Sequence, residues 1–223
     1  MGEMRLMGIW ATAAVLLPLT ARPEVIRFDN SAPGSLPPGW SVATTHAGAP
    51  PRWEIVRDES APHPPFVLAQ LSRDETAGRF PLAIWDRGTL RNGDVSVAFK
   101  TVDGSIDRAA GIVWRYHDPN NYYIVRANAL ENNVVLYKVE NGVRLSIAPK
   151  GLPSRSYGVK HHVPSGRWNI LRVLFRDSLF TVFLNGERLF EAEDQKFKEA
   201  GKTGLWTKAD SLTYFAEFTV VKL

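Results

Sequence analysis

The sequence predicts an all-β protein built as a two-sheet antiparallel sandwich, and three observations support this prediction. Short apolar runs of strand length alternate with turn signals from Phe66 onward, at intervals of roughly 8 to 12 residues. Asn-Gly pairs, which favour tight hairpin turns, punctuate these runs. After the first 21 residues, no stretch keeps a helical period. With 223 residues and 44% hydrophobic content, the chain can bury one substantial core, so a single domain is expected.

The N-terminal residues 1–21 have the features of a secretory signal peptide. Arg5 precedes an apolar run over residues 6–19, and Ala21 offers a small residue at the cleavage point. The run is shorter than the ~20 apolar residues that span a bilayer, so an uncleaved membrane anchor is the less favoured alternative. We therefore expect a mature domain over residues 22–223 in a secreted or periplasmic protein, with no other membrane association.

Composition excludes several function classes. The chain has no cysteine, which rules out disulfides, thiolate metal sites and a cysteine nucleophile. An export signal without cysteine is typical of a bacterial exported protein. The net charge is +4, but the lysines and arginines are scattered along the chain and form no dense run. This pattern predicts a solubilising surface and no nucleic-acid partner.

The strand pattern can be assigned along most of the chain. Residues 29–65 are dense in proline and glycine, which predicts loop-rich edge structure. Asn141-Gly142 and Asn185-Gly186 each separate two alternating apolar segments, which predicts two type I′ hairpins. A turn of helix at most is expected within residues 193–200. Further strands are predicted at 66–72, 82–85, 94–101, 109–116, 122–130, 168–176, 203–206 and 213–222.

The stretch GIVWRYHDPNNYYIVRAN, residues 111–128, combines aromatics, arginines and asparagines in one predicted hairpin. Pairing its strands across residues 117–121 sets Tyr116 opposite Tyr122 and Trp114 opposite Ile124, so that even-numbered residues share one face. The odd-numbered face is smaller and more aliphatic, and it is predicted to face the core: Gly111, Val113, Arg115, Tyr123, Val125, Ala127 and Ala129. The even-numbered face then points outward into an open hollow: Ile112, Trp114, Tyr116, Tyr122, Ile124, Arg126 and Asn128.

The even-numbered face has the chemistry of a carbohydrate site. Aromatic rings stack on the C–H patches of a pyranose, while guanidinium and amide groups bond its hydroxyls. The predicted ligand contacts are Trp114, Tyr116, Tyr122, Arg126, Asn128 and, from the adjacent strand, Tyr137. The loop ALENN could add Glu131, Asn132 and Asn133 at the rim of this face, and the C-terminal run GLWTKADSLTYF places Trp206, Lys208 and Asp210 at a turn before the last strand. The alternative is ordinary cross-strand packing, and a one-residue slip of register would exchange the two faces.

Several segments together resemble the concanavalin A-like jelly-roll domains that are grouped with laminin-G-like modules and bacterial 3-keto-disaccharide hydrolases. These segments are FDN and PPGW near residues 28–40, DPNNYYIVRANALENNVVLYKVENG (118–142), GRWNILRV (166–173), FLNGERLFE (183–191) and GKTGLWTKADSLTYFAEFTV (201–220). The resemblance implies a curved two-sheet sandwich whose concave sheet commonly holds carbohydrate. It also implies structural roles for Trp168-Asn169, with Trp168 capping the core, and for Asn185-Gly186.

The sequence assigns no catalytic residue. Laminarinase-type glucanases of this fold carry the motif Glu-x-Asp-x-x-Glu. The nearest segment here is EAEDQK, residues 191–196, which has Glu193 where the motif needs Asp and Lys196 where it needs the second Glu, so the sequence does not support that mechanism. Hydrolysis of a 3-keto glycoside needs only a general base and an oxyanion stabiliser. The residues that could serve that chemistry are Arg126, Asn128, Glu131 and His117.

No metal site is predicted. The adjacent residues His161 and His162 would point to opposite faces of a strand, and no zinc spacing accompanies them. Calcium is the one cofactor that the sequence leaves open, because residues 103–107 and 118–120 carry aspartate and asparagine oxygens in predicted turns.

The sequence therefore predicts an exported carbohydrate-binding jelly-roll domain that uses its concave sheet. The alternatives are a hydrolase of 3-keto glycosides and a laminin-G-like module that binds a protein partner.

Overall fold

The computed structural model describes residues 22–223, and within that range the chain forms sixteen β-strands and no helix. The predicted signal peptide, residues 1–21, lies outside the described residues. In the described part of the chain, no helical segment has the length and apolarity needed to cross a bilayer. The prediction of an all-β, two-sheet antiparallel sandwich is confirmed.

Sheet A has eight strands. They are β1 (Glu24–Ile26), β3 (Trp53–Arg57), β4 (Phe66–Gln70), β6 (Gly93–Asp103), β12 (Asn169–Arg176), β13 (Leu179–Leu184), β14 (Glu187–Glu193) and β16 (Leu212–Lys222). Their order across the sheet is β14-β13-β12-β6-β16-β4-β3, and β1 pairs with the end of β16.

Sheet B also has eight strands. They are β2 (Trp40–Thr45), β5 (Phe80–Leu90), β7 (Ala109–Asp118), β8 (Asn121–Asn128), β9 (Asn133–Glu140), β10 (Val143–Ile147), β11 (Val159–Lys160) and β15 (Gly201–Trp206). Their order is β10-β9-β8-β7-β15-β5-β2, and β11 pairs with the start of β9. Neighbours distant in sequence, such as β7 and β15, show that the sheet is assembled by long crossovers.

The main hydrophobic core lies between the two sheets. Alternate residues of each strand face it, as expected for a sandwich. Sheet A contributes a phenylalanine-rich set that includes Phe99, Phe175 and Phe180, and sheet B contributes aliphatic and aromatic residues that include Ile112, Tyr123 and Val125. A second cluster covers the other face of sheet B, and a small third cluster covers the other face of sheet A.

Most predicted strands match observed strands to within a few residues. Both Asn-Gly hairpins are present, with positive φ at Asn141, Gly142, Asn185 and Gly186, as a type I′ turn requires. Residues 193–200 form no helix. The proline-rich region 29–65 contains two strands that were not predicted, β2 and β3. Each is the last strand of its sheet, so the expectation of edge structure was correct while the expectation of loops was incomplete.

The predicted register of the β7–β8 hairpin was wrong by one residue over most of its length. Trp114 pairs with Tyr123 and Ile112 pairs with Val125, so the even-numbered residues of β7 face the core together with the odd-numbered residues of β8. The cause is a bulge between Trp114 and Asp118, where Arg115 has a φ of +46°. A bulge inserts an unpaired residue and resets the alternation of the strand. Tyr116, beyond the bulge, returns to the face of Tyr122, as predicted.

The slip moves Trp114 from the predicted ligand face into the core. Its ring has no exposed surface and lies against Tyr123, Phe175 and Phe180, with centroid distances of 5.5, 5.8 and 5.3 Å. Gly111 and Val113, which were predicted to face the core, lie on the opposite side of sheet B. Trp114 is therefore part of the packing between the sheets, and no ligand can reach it without separating them.

Candidate functional site

The face of sheet B that points away from sheet A is concave, and we refer to it as the concave face. Arg144 on β10 lies 4.9 Å from the ring centroid of Phe80 on β5, although four strands separate β10 from β5. At about 4.8 Å per strand, a flat sheet would place these two strands about 24 Å apart. Sheet B must therefore curve strongly for the two side chains to meet across it.

The middle of the concave face is filled by its own side chains. Val113, Tyr122, Ile124, Val139 and Trp206 have no exposed surface, and Arg144 extends over Phe80, Tyr137 and Trp206. Of the predicted ligand contacts, Tyr122 lies in this packed middle, and the half-buried Tyr116 packs against it at 6.0 Å. The structure has closely packed side chains beside Trp114 and Arg126, where an open hollow was predicted. One end of this face carries partly exposed polar side chains.

That end carries a cluster of polar side chains centred on Arg126, which we call the Arg126 cluster: Asp107, Arg126, Asn128, Glu131, Asn133 and Lys208. The guanidinium of Arg126 donates to both carboxylate oxygens of Glu131, at 3.2 and 2.8 Å, and to Oδ1 of Asn133 at 2.8 Å. Arg126 has no exposed surface, whereas the Glu131 side chain is 39% exposed. The cluster thus extends from the buried face of the sheet to its surface.

Asn128 joins the Glu131 half of the cluster to a second carboxylate. Its Nδ2 donates to Asp107 at 2.6 Å and to Glu131 at 3.2 Å, while its Oδ1 accepts bonds from the backbone N–H groups of Leu130 and Glu131. Lys208 donates to the other oxygen of Asp107 at 2.5 Å. A single asparagine therefore fixes the loop that carries Glu131 and holds both carboxylates in place.

The loop that supplies Asp107 is held in place by hydrogen bonds to the side chain of Asp210. The carboxylate of Asp210 accepts bonds from the backbone N–H groups of Ser105, Ile106 and Asp107, at distances between 2.6 and 3.2 Å. These bonds lower the pKa of Asp210 even though its partial burial acts in the opposite direction. Since Lys208 is only two residues before Asp210, the same turn orients both the cation and the loop that it contacts.

Two tyrosines border the Arg126 cluster. The guanidinium carbon of Arg126 lies 5.7 Å from the ring centroid of Tyr137 and 5.8 Å from that of Tyr157, within cation–π range. The two hydroxyl groups are hydrogen-bonded at 2.5 Å. Tyr137 is buried, but Tyr157, in the loop between β10 and β11, is 48% exposed. Tyr157 therefore presents an aromatic surface beside the charged residues.

The electrostatics keep the cluster ionised. Partial burial opposes the charge of Glu131, but its bonds from Arg126 and Asn133 and the charge of Lys208 hold the pKa of Glu131 below its usual value. Burial likewise opposes the charge of Arg126, and the oxygens of Tyr137 and Glu131 outweigh it and raise the pKa. The Nε of Arg126 is buried and has no hydrogen-bond partner among the described residues.

The hydrogen-bond capacity of the cluster shows which groups are free to bind a ligand. Glu131 already accepts four bonds, which match the roughly four lone-pair positions of a carboxylate. Its role is to hold the cluster together. The ammonium of Lys208 carries three N–H bonds, and within residues 22–223 its one hydrogen-bond acceptor is Asp107. Lys208 therefore has free donors at the edge of the cluster.

The sequence predicted much of this cluster but not its arrangement. Arg126, Asn128 and Tyr137 were predicted contacts, Glu131 and Asn133 were expected at the rim, and Lys208 and Asp210 were expected at a turn before the last strand. All of them meet at this end of the concave face, while Tyr116 and Tyr122 lie together elsewhere on it. Asp107 had been considered only as a calcium ligand. Tyr157 was missed, because the loop over residues 148–158 has no periodicity that fixes where its side chains point.

The oxygens considered for calcium are engaged within the protein. Asp103 forms ion pairs with Arg73 and Arg108, and Asp118 accepts bonds from the backbone of Asn120 and the side chain of Asn121. Across residues 22–223, no group of three or more histidine, aspartate or glutamate side chains is arranged to hold a metal ion.

The EAEDQK segment is also occupied by structural contacts. Glu191 pairs with Arg188, Glu193 pairs with Lys150, and Asp194 accepts bonds from Tyr123 and Lys138. Each of these carboxylates is bound to a cation or to a tyrosine hydroxyl. This arrangement differs from the paired carboxylates of a retaining glycosidase.

Comparison with known proteins supports the fold. No family model and no curated protein matches the sequence. Among solved structures, the carbohydrate-binding module CBM66 from Bacillus subtilis is 19% identical with a TM-score of 0.60, and the match covers 82% of this chain and 96% of that one. Domain 4 of AbnA, an extracellular arabinanase from Geobacillus stearothermophilus solved with arabinotriose, is 13% identical with a TM-score of 0.57, covering 91% and 93% of the two chains.

A third similar solved structure also contains a bound sugar. The exoplasmic domain of VIP36, in a form bound to Ca²⁺ and Man3GlcNAc, is 12% identical with a TM-score of 0.52, covering 83% of this chain and 84% of that one. At these identities the matches establish the fold. The chain therefore has a β-sandwich fold of the kind found in carbohydrate-binding modules and lectin domains.

Proposed function

We propose that this protein is an exported carbohydrate-binding domain, and that it binds sugar at the Arg126 cluster with Tyr157 and Lys208 as the main contacts. The observation that carries the proposal is that the exposed ring of Tyr157 and the free donors of Lys208 flank one rigid, internally bonded group of charged and amide side chains. The sugar ligands named for two of the similar structures make carbohydrate the ligand class that fits this site best.

The chemistry of the site suits a single sugar unit. The C–H face of a pyranose or furanose can stack on Tyr157, while its hydroxyl oxygens accept bonds from Lys208. Tyr157 lies against Arg126, and Lys208 is bonded to Asp107. Arg126 and Asp107 are in turn held in place by bonds to Glu131, Asn128 and Asn133. Since the side chains of the cluster are held by bonds to one another, binding requires little reordering of side chains, which favours affinity.

The test is a glycan array followed by titration of the best ligand with purified protein and two variants. Tyr157→Ala should weaken binding about tenfold, because the stacking surface is lost, whereas Tyr157→Phe should retain most of the affinity. Leu152→Ala, on an exposed residue of the same loop, is the matched control. Unchanged affinity in Tyr157→Ala, or no glycan retained by the wild-type protein, would contradict the proposal.

The same preparations separate this function from its alternatives. Release of free sugar from a 3-keto-disaccharide by the wild-type protein would point to a hydrolase of the type that the sequence resembles. Retention of a protein partner in the absence of any bound glycan would favour an interaction module. Export is tested by the N-terminus of the protein recovered from the periplasm or medium, which should begin near Arg22.

A further inference from the structure

A cavity lies near the turn of the β7–β8 hairpin, at the other end of that hairpin from the Arg126 cluster. It has a volume of about 190 Å³, and its lining residues come from both sheets and their connecting loops: Arg91, Arg115, Asp177, Ser178, Asp194, Gln195 and Lys198. Water occupies about 30 Å³ per molecule in the liquid, so the space corresponds to about six water molecules. The cavity is large enough for one small polar unit.

The base of this cavity is Arg115, which is held by backbone carbonyl groups. Its Nε donates to Arg91, its Nη1 to Phe197 and its Nη2 to Asp177, at 3.0, 2.7 and 2.6 Å. A guanidinium has five N–H bonds, so two remain without an acceptor among the described residues. No carboxylate lies within ion-pair distance of Arg115 in residues 22–223. The buried charge of Arg115 therefore has no direct ion-pair partner in the described chain, and the carboxylate of Asp177 acts on it only at longer range.

The backbone is distorted to place Arg115 in this position. Its φ of +46° lies in the left-handed region, which is unfavourable for a residue with a side chain, and it forms the bulge of β7. Bulges of this kind redirect a side chain. Here the bulge turns Arg115 toward the end of the sandwich, where its guanidinium lies 5.9 and 5.8 Å from the rings of Phe175 and Phe180.

The remaining charges around the cavity leave it electropositive. Among the lining residues, three are cations (Arg91, Arg115 and Lys198) and two are carboxylates (Asp177 and Asp194), which leaves a net charge of +1. Of the two acidic residues, Asp177 is paired with Arg91 at 3.9 Å, and Asp194 is bonded to Lys138 at 2.9 Å. Burial lowers the pKa of Arg115, and its interactions with Tyr123 and Asp177 offset only part of this effect. An anion in the cavity would supply further stabilisation.

We propose that this cavity is a second ligand site, which binds the carboxylate of an acidic sugar unit, a hexuronate. The carboxylate would accept the two free N–H bonds of Arg115 and the ammonium of Lys198, in the paired geometry that guanidinium and carboxylate groups favour. Ser178 and Gln195 provide neutral partners for the ring hydroxyls. This site uses none of the residues of the Arg126 cluster, so it does not depend on the function proposed there.

The experiment is an NMR titration of the ¹⁵N-labelled protein with D-glucuronate, with D-glucose and sodium acetate as separate probes. Glucuronate should shift the amide signals of Arg115, Ser178 and Lys198, and glucose should not. Lys198→Ala should weaken glucuronate binding about two- to fivefold, as expected for one exposed ion pair. Arg167→Ala is the matched control, because Arg167 is an exposed cation at the other end of β12.

Each outcome decides the proposal. Absence of shifts at these residues with millimolar glucuronate overturns it, and equal binding of glucose overturns the role of the carboxylate. Acetate that binds as tightly as glucuronate would show a simple anion site with no sugar recognition. The Glu131→Gln protein should keep the glucuronate shifts at Arg115 even if it has lost ligand binding at the Arg126 cluster, which distinguishes the two sites.

Discussion

Two arginines of one hairpin, Arg115 and Arg126, are both buried, but their surroundings differ in a way that matters for function. Arg126 is bonded to the two oxygens of Glu131 and packed between two tyrosines, so its charge is balanced. Arg115 is bonded to three carbonyl groups and forms no direct ion pair in the described chain. At the residue scale, the first arginine organises the Arg126 cluster, and the second places a charge without a direct ion pair beside a cavity.

The pH dependence of sugar binding should follow Glu131. Its folded pKa lies below the ordinary 4.5, so its ionised form, and the bonds it makes to Arg126, persist at all pH values above that. The stability that this carboxylate contributes is present above its unfolded pKa and is lost as the pH falls through the folded value. Affinity measured by calorimetry should therefore be constant from about pH 8 to 5 and fall in more acidic solution.

Glu131→Gln should lose much of this affinity at every pH, because an amide cannot accept both bonds from Arg126. Glu187→Gln, an exposed residue on the other sheet, is the control. A fall in affinity between pH 8 and 6 would contradict the assignment and indicate a titrating histidine.

At the element scale, the curvature of sheet B depends on residues that let neighbouring strands approach closely. Gly111 and Gly204 both lie on the concave face, on the adjacent strands β7 and β15. A Cβ atom at Gly204 would lie 2.3 Å from the carbonyl oxygen of Ala83, and one at Gly111 would lie 2.8 Å from that of Val125. Because these contacts are with backbone atoms, which cannot move aside, sheet B has room only for glycine at positions 111 and 204.

Gly204→Ala should therefore destabilise the protein by about 1–3 kcal/mol or more, since the added methyl group forces the strands apart. The measurement is the free energy of unfolding in urea. Gly88→Ala on β5 is the matched control, because its added Cβ would meet only the ring of Trp85 at an ordinary 3.6 Å. If both variants unfold at the same denaturant concentration, the close approach of the strands is not what requires glycine at position 204.

The two Asn-Gly hairpins and the ends of most strands could be predicted from short sequence patterns. Asn185 of the second hairpin also bonds the start of β12: its Oδ1 accepts from the backbone of Ile170, and its Nδ2 donates to Asn169. The structural role expected for these segments agrees with these contacts. Trp168 differs from expectation, because it packs on the outer face of sheet A, against Lys100, and lies outside the main core.

At the scale of the whole molecule, the two sheets are joined by a core that is rich in aromatic residues and by several polar contacts between the layers, such as those of Thr213 with Ala109 and of Asp194 with sheet B. Trp114 packs on Phe175 and Phe180 of sheet A, near the centre of this core. Asp194, which follows β14 of sheet A, accepts bonds from Tyr123 and Lys138 of sheet B. The packing of the sandwich therefore depends on a hairpin whose aromatic residues were first expected to bind a ligand.

Trp114→Ala should destabilise the protein by about 3–5 kcal/mol, as removal of a large buried side chain leaves a cavity. Trp168→Ala should cost much less, because Trp168 is partly exposed on the outer face of sheet A. Both are measured by urea denaturation followed by circular dichroism. A Trp114→Ala protein with unchanged stability and reduced sugar affinity would restore Trp114 to the ligand site and contradict the observed register.

Local patterns in the sequence determined the class of fold, most strand positions, both Asn-Gly hairpins and the residue types of the Arg126 cluster. These features depend on alternation of apolar residues and on turn preferences, which act over a few residues. The tertiary structure alone decided the face of Trp114, because one bulge at Arg115 shifts the alternation of β7 and no short-range rule reveals it. It also decided that Tyr157 lies against Arg126 and that Asp107 bonds Asn128, since curvature and crossover loops bring together residues that are far apart in the chain.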